Sequence, residues 1–248
     1  MVMLYVFILG LVLGSFFNVV GIRIPRNQSI VSPPSACLNC GRRLTPGDLI
    51  PVLSYIWLKG KCRDCNAGIS PLYPVMELLT AFLFVVAFDQ IGFQWELLVA
   101  FTLISLLAIV TVSDLNYMII PDRVLVFFSV LFVVERVLIP LSPWYDSLLG
   151  AATGFLLLLA IAIVSKGGMG GGDIKLYAVI GYVLGLKGVL LSFFLAALIG
   201  SVAGLAGIIA GRINRQKPIP FAPFIATGSI LAYFYSEPFY QWYLDFVI

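Results

Sequence analysis

Long apolar runs separated by short polar loops fill the chain from about residue 72 onward, and one further run opens it. A stretch of roughly 18 or more apolar residues crosses a ~30 Å hydrocarbon core as a helix. The runs predict spans at about 2–20, 72–88, 96–113, 124–139, 147–164, 174–186, 188–211 and 219–235. The sixth is short, and 174–211 also reads as one broken segment. The expected fold class is therefore all-α: a polytopic membrane helix bundle of about eight spans. Gly10 and Gly14 share a helix face at i, i+4 spacing, which suits close packing of the first span. That span has no basic stretch before it and ends in Asn18-Val19-Val20-Gly21-Ile22-Arg23, so it reads as a retained helix rather than a cleaved signal.

Composition agrees. Hydrophobic residues make up 61% of the chain and charged residues 11%, and the mean hydropathy is +1.06. Placing the 21–71 loop in the cytoplasm puts 13 of the 15 Lys+Arg on that side, including Arg212, Arg215 and Lys217, and leaves Arg136 and Lys187 opposite. The net charge of +3 then follows from topology, and no nucleic-acid partner is needed. Three parts are expected: a first transmembrane helix (1–20), a cytoplasmic loop domain (21–71) and a membrane-embedded bundle (72–248). The loops 114–123, 165–173 and 212–218 share the cytoplasmic face by parity.

The 21–71 loop is too small to bury a core and calls for a staple. Cys37-x-x-Cys40 and Cys62-x-x-Cys65 supply one, with 21 residues between the pairs. Four thiolates make a closed tetrahedral Zn2+ site, which folds the loop and leaves no open position for catalysis. A redox pair or an iron–sulfur cluster is the alternative. Gly41 and Asn66, each following a pair, suit the positive φ that such knuckles need.

The chain has no histidine, which removes Ser-His-Asp, Cys-His and His-Glu-x-x-His chemistry. Two carboxylates at the ends of apolar runs remain, Asp114 and Asp173. Carboxylates at the edge of hydrocarbon are costly and persist where they act. Two of them sharing a proton can hydrolyse a peptide: the ionised one takes a proton from water while the neutral one polarises the carbonyl. Gly170, Gly171 and Gly172 before Asp173 would let backbone approach an extended peptide. The blander readings are a helix N-cap for Asp173, an interfacial carboxylate for Asp114, and an N-cap of the fourth span for Asp122. A transporter with proton-relaying aspartates and a non-enzymatic assembly factor docking through the cysteine loop are the rival functions. A Ser165–Lys166 pair is a third, weakened because adjacent residues rarely face each other.

The ordered motifs Gly14-Ser15-Phe16-Phe17-Asn18-Val19-Val20 with Arg23 and Pro25, the two cysteine pairs, Pro74-Val75-Met76-Glu77-Leu78-Leu79-Thr80-Ala81, Asp114 to Ile120-Pro121-Asp122, Gly170-Gly171-Gly172-Asp173 with Lys175, and Ile219-Pro220-Phe221-Ala222-Pro223-Phe224 run over nearly the whole chain. In these the chain resembles the bacterial type IV prepilin leader peptidases, including competence-associated members. The resemblance implies an aspartyl endopeptidase of the bacterial inner membrane with its active site facing the cytoplasm. Its substrates would be prepilin or pseudopilin precursors of pilus and type II secretion systems, cut after a glycine, and the lipid bilayer would be its other partner. It implies N-methylation of the new terminus from S-adenosylmethionine as well. By position, Asp114 and Asp173 match the family's catalytic pair, Gly170 and Gly172 its G-x-G-D motif, and the cysteines its zinc site. Ala222 replaces a more usual glycine. No dinucleotide-type glycine fingerprint is present, so a methyl-donor pocket is expected beside the loop, with Arg23 and Glu77 as walls. Lys175 is expected in the substrate-facing loop.

Overall fold

The computed structural model describes residues 1–166, 168–211 and 219–247. Gly167 and the expected 212–218 loop, with Arg212, Arg215 and Lys217, lie outside the described residues. Among those described, the chain is all-helical, and the only β pairing is two isolated bridges. The helices are α1 (Val2–Arg23), α2 (Leu53–Trp57), α3 (Leu72–Ile91), α4 (Glu96–Tyr117), α5 (Asp122–Leu138), α6 (Asp146–Val164), α7 (Gly171–Ile209) and α8 (Ala222–Val247). Of these, α1, α3, α4, α6 and α7 are long and apolar enough to cross a membrane. The chain divides into two compact units, Met1–Asn116 and Tyr117–Ile248.

In the first unit α1 and α3 run antiparallel in close contact. A β-carbon on Gly10 would lie 2.5 Å from the Cα of Ala81, and one on Gly14 would lie 2.9 Å from the Cα of Glu77. The next step along the seam is a hydrogen bond, Asn18 Nδ2 donating to Tyr73 O at 3.1 Å. Each contact is four residues further along α1 and four back along α3, the repeat of one helix face. Lipid tails give no hydrophobic reward for helix pairing, so small residues that let backbones touch carry the association. The last turn of α1 rests on α4, where a β-carbon on Gly21 would meet the Val112 side chain at 2.8 Å. Phe84 of α3 stacks on Phe101 of α4 with ring centroids 4.2 Å apart.

In the second unit α7 is not one rod. Gly185 breaks it at φ 72, ψ −178, and the two arms fold back on one another. The Tyr177 and Phe193 rings lie 6.1 Å apart, whereas sixteen residues of straight helix would separate them by roughly 24 Å. The break at Gly185 divides the 174–211 stretch, expected either as separate segments at 174–186 and 188–211 or as one broken segment, into two helical arms. The backbone groups freed at the break are held by charge. Arg136 Nη2 donates to Val183 O at 2.8 Å, and the Leu186 N–H donates to Asp146 Oδ1 at 3.2 Å. A cation thus sits on the carbonyl end of one arm and an anion on the amide end of the other, as the helix dipoles favour. On the far side, Ser192 and Ser229 hydroxyls join α7 to α8 at 2.9 Å.

Helix bounds differ from the expected ones in a way that matters. Asp114 was expected to open a loop but lies inside α4, which runs on to Tyr117, and Asp173 lies inside α7. At both aspartates the helical hydrogen bonding continues beyond the end of the apolar run.

Candidate active site and cysteine cluster

Asp114 sits near the end of α4 in the first unit and is 6% exposed. The next turn is tied off by Asn116, whose Nδ2 donates to Val112 O at 2.7 Å. The α1 turn at Gly21 packs on the same stretch of α4. A carboxylate is therefore held in a fixed, largely dehydrated position at the helix end that faces the 24–71 segment.

Asp173 belongs to the second unit. The N-cap of α7 is Gly170, with φ −69 and ψ 139, so Asp173 is the third helical residue. The blander reading of Asp173 as an N-cap is set aside: an extended glycine makes the cap and the acid lies inside. The Asp173 N–H donates to Gly170 O at 3.1 Å. Its carboxylate leans back over that glycine, since a β-carbon on Gly170 would come 2.9 Å from Asp173 Oδ2. A negative charge in this first turn is favoured by the helix dipole. A β-carbon on Gly171 would meet nothing within 4 Å, and one on Gly172 would press on Ile120 at 2.9 Å. The glycine run thus has one open face and one face packed on the Ile120-Pro121-Asp122 turn.

Lys175 reaches that same turn, its Nζ lying 2.8 and 2.9 Å from the two Asp122 oxygens. Both side chains are more than half exposed, so the pair is worth about 0–1 kcal/mol and mainly sets position. The expected N-cap role of Asp122 is also corrected. Pro121 is the cap and Asp122 the first helical residue, because the fixed φ of proline suits the turn into α5.

The cysteine loop is built from two matching knuckles. Cys37 N–H donates to Arg42 O and Cys62 N–H to Ala67 O, both at 2.8 Å. Gly41 (φ 72) and Asn66 (φ 56) turn the chain in the left-handed region. The four Sγ atoms lie within 4.8 Å of one another, with Cys37–Cys65 at 3.7 Å and Cys40–Cys62 at 4.0 Å. A tetrahedron of four sulfurs about 2.3 Å from one Zn2+ has edges of about 3.8 Å. The cluster therefore has the size and donor set of a closed metal site. Backbone N–H groups of Cys40 and Asn39 hold the Cys37 thiol below its ordinary range, and that of Ala67, with the Asn39 side chain, brings Cys65 down to about 6. At Cys40 the Arg42 N–H pulls the same way, but burial and the three neighbouring thiols outweigh it and push the thiol up to about 11. Arg42 of the first knuckle pairs with Asp64 of the second, and Arg63 pairs with Asp48, in the segment joining the two knuckles, at 2.8 Å.

Glu77, in the second turn of α3, is 7% exposed. It accepts the Val52 N–H at 2.8 Å and a hydrogen bond from Ser15. Arg23 Nη1 donates to Ser29 O at 3.1 Å on the surface. Both belong to the first unit, with Glu77 committed to bracing the loop and Arg23 accessible at the end of α1.

Residues 8–91 match the family described as Bacterial Peptidase A24 N-terminal domain, and residues 101–205 match the Type IV leader peptidase family. The prepilin leader peptidase/N-methyltransferase of Bacillus subtilis (strain 168) is 49% identical over 98% of this chain and 98% of its own. The protein of that name from Aeromonas salmonicida (strain A449) is 33% identical over 98% of this chain and 94% of its own. That from Pseudomonas aeruginosa is 30% identical over 96% and 92%. The chain belongs to the type IV leader peptidase family. No solved structure is a match.

The first family match contains Arg23, the four cysteines and Glu77; the second contains Asp114, Gly170, Gly171, Gly172, Asp173 and Lys175. In the Ser165–Lys166 alternative, the Ser165 hydroxyl accepts the Gly168 N–H at 3.1 Å and closes a turn. Sequence reading missed the pairing of Lys175 with Asp122, the clamp of Arg136 and Asp146 on Gly185, and the grip of Glu77 on Val52. Arg136 and Asp146 carried a usable signal, as charges flanking apolar runs at the end where a glycine interrupts the next one. For Glu77 and Val52 no local signal exists, since a partner 25 residues away is chosen by folding alone.

Proposed function

We propose that this leader peptidase-family chain is a membrane aspartyl endopeptidase that removes the leader from type IV prepilin-like precursors and then N-methylates the new terminus. The observation that carries this is near-complete alignment with proteins named for both activities, the first at 49% identity. Asp114 and Asp173 form the catalytic dyad in this reading. Support comes from their chemistry: a buried carboxylate on α4, and a carboxylate in the first turn of α7 beside a glycine run with one open face. The ionised aspartate takes a proton from the attacking water while the neutral one protonates the developing oxyanion of the scissile carbonyl. Collapse of the tetrahedral adduct breaks the C–N bond, and the departing amine takes up a proton from the dyad. The products are a leader ending in a carboxylate and a mature chain with a free amine. Glycine on the leader side would lie extended along Gly170 and Gly171. Asp122 and Lys175 would hold the α5 and α7 starts in register.

Several finer assignments belong to this reading. The helices α5 and α8 and both arms of α7 also cross, for eight spans in all. The cysteine cluster holds one structural Zn2+. Its loop and both aspartates face the cytoplasm of a bacterial inner membrane, as the basic residues favour. S-adenosylmethionine, when bound, supplies an electrophilic methyl group for the new amine. Arg23 would take its carboxylate, and Glu77 would support the wall by fixing Val52.

The test is cleavage of a prepilin-like precursor by the Asp114→Asn and Asp173→Asn variants in lipid. Each should lose cleavage while retaining insertion and thermal unfolding behaviour. Full cleavage by either one removes that residue from the dyad, and labelled S-adenosylmethionine that leaves the processed product unlabelled removes the second activity.

A further inference from the structure

The short helix α2 presents an apolar face that nothing among the described residues covers. Leu53, Ile56 and Trp57 are 62%, 66% and 85% exposed, and their i, i+3, i+4 spacing puts them on one side of the helix. Leu49 and Ile50, just before, are 44% and 46% exposed. The opposite side is occupied: the Tyr55 ring lies over Gly60, where a β-carbon would meet its hydroxyl at 2.9 Å. Lys59 and Lys61 follow at the rim, both exposed.

What decides the occupant is height. Val52 forms a tight γ-turn with φ 61 and ψ −49, closed by Leu53 N–H to Pro51 O at 2.6 Å. A β-branched residue resists that backbone. It is held because Glu77, on a membrane-crossing helix, accepts the Val52 N–H at 2.8 Å. Glu77 lies about 7–8 Å along the axis from Leu72, where α3 begins, and side chains on a helix lean back toward its N-terminus. Val52 is thereby pinned level with the first turns of α3, at one end of a helix long and apolar enough to cross a membrane.

We propose that Leu53, Ile56 and Trp57 form an interfacial anchor that inserts into the acyl–headgroup boundary of the bilayer, with Lys59 and Lys61 against anionic headgroups. An amphipathic tip with a tryptophan and flanking lysines has the chemistry of that layer. The cysteine-bearing loop would then be fastened to the membrane at three points, namely the end of α1, the start of α3 and this tip. The inference rests on membrane insertion of α3 and is independent of the peptidase reading.

The four tryptophans permit a direct test. The full chain with Trp95, Trp144 and Trp242 changed to Phe is reconstituted into phosphatidylethanolamine/phosphatidylglycerol vesicles, leaving Trp57 as the emitter. Lipids brominated near the carbonyl should remove most of its emission, while iodide present on both sides should leave it nearly unchanged. Iodide quenching without bromolipid quenching would place Trp57 in water and overturn the anchor. Protection from both quenchers would show a protein covering the face and overturn it equally. If the triple variant does not fold, the emission quenched in the wild type but not in Trp57→Phe gives the same reading.

Discussion

Gly150→Ala tests whether α7 is set by backbone contact with α6. A β-carbon on Gly150 would stand 2.1 Å from Gly181 O and 2.6 Å from the carbonyl carbon of Gly185. Ordinary contact begins near 3.4 Å, so the helices must part by about 1.3 Å, the difference of those two distances. Neither obstacle is a side chain that can rotate away. Overpacking of this kind costs about 1–3 kcal/mol. The larger effect should fall on catalysis, because the first arm of α7 carries Asp173 of the proposed dyad, and a misplacement of about 1 Å can cost on the order of 100-fold in rate. Gly204→Ala is the control, since its new β-carbon would meet only Ile219 Cδ1 at 3.7 Å. There the gain in helix propensity is up to about 1 kcal/mol. Thermal unfolding in detergent and precursor cleavage in vesicles should show Gly150→Ala less stable and far slower, and Gly204→Ala unchanged or more stable. Wild-type rate and Tm for Gly150→Ala would refute the reasoning, because the two helices could then not be in backbone contact.

Purified protein should carry about one Zn per chain; chelation or Cys62→Ser should make the 24–71 segment protease-sensitive while helix content stays, and elemental analysis with limited proteolysis reads both. Arg136→Met should lower stability by about 1–3 kcal/mol, the cost of leaving the Val183 carbonyl unpartnered beside the Gly185 break, seen as a lower Tm. The side chain and N–H of Thr45, together with Arg63, hold the Asp48 carboxyl below its ordinary range, so its stabilising effect is complete above the unfolded-state value near 4 and fades as pH falls through the lower folded value. Asp48→Asn should therefore loosen the loop at neutral pH, and the difference from wild type should vanish in strong acid, as read by pH-dependent proteolysis.

Much of this protein is written locally. Apolar runs longer than a bilayer is thick leave the backbone no choice but helix, so the chain alone specified an all-helical fold with membrane-crossing helices. The absence of histidine narrowed the hydrolytic chemistry to carboxylates or a Ser–Lys pair, and the spacing of Cys37, Cys40, Cys62 and Cys65 pointed to a shared metal because two short knuckles can each aim two sulfurs at one point. Tertiary structure decided what depends on partners distant along the chain. It carried α4 past Asp114, made Gly170 rather than Asp173 the cap of α7, and folded α7 back at Gly185, where Arg136 and Asp146 satisfy groups that no neighbour in sequence could reach. It also set Val52 against Glu77. A hydrogen bond between distant residues exists only once the helices bearing them have packed, and no periodicity along the chain records it.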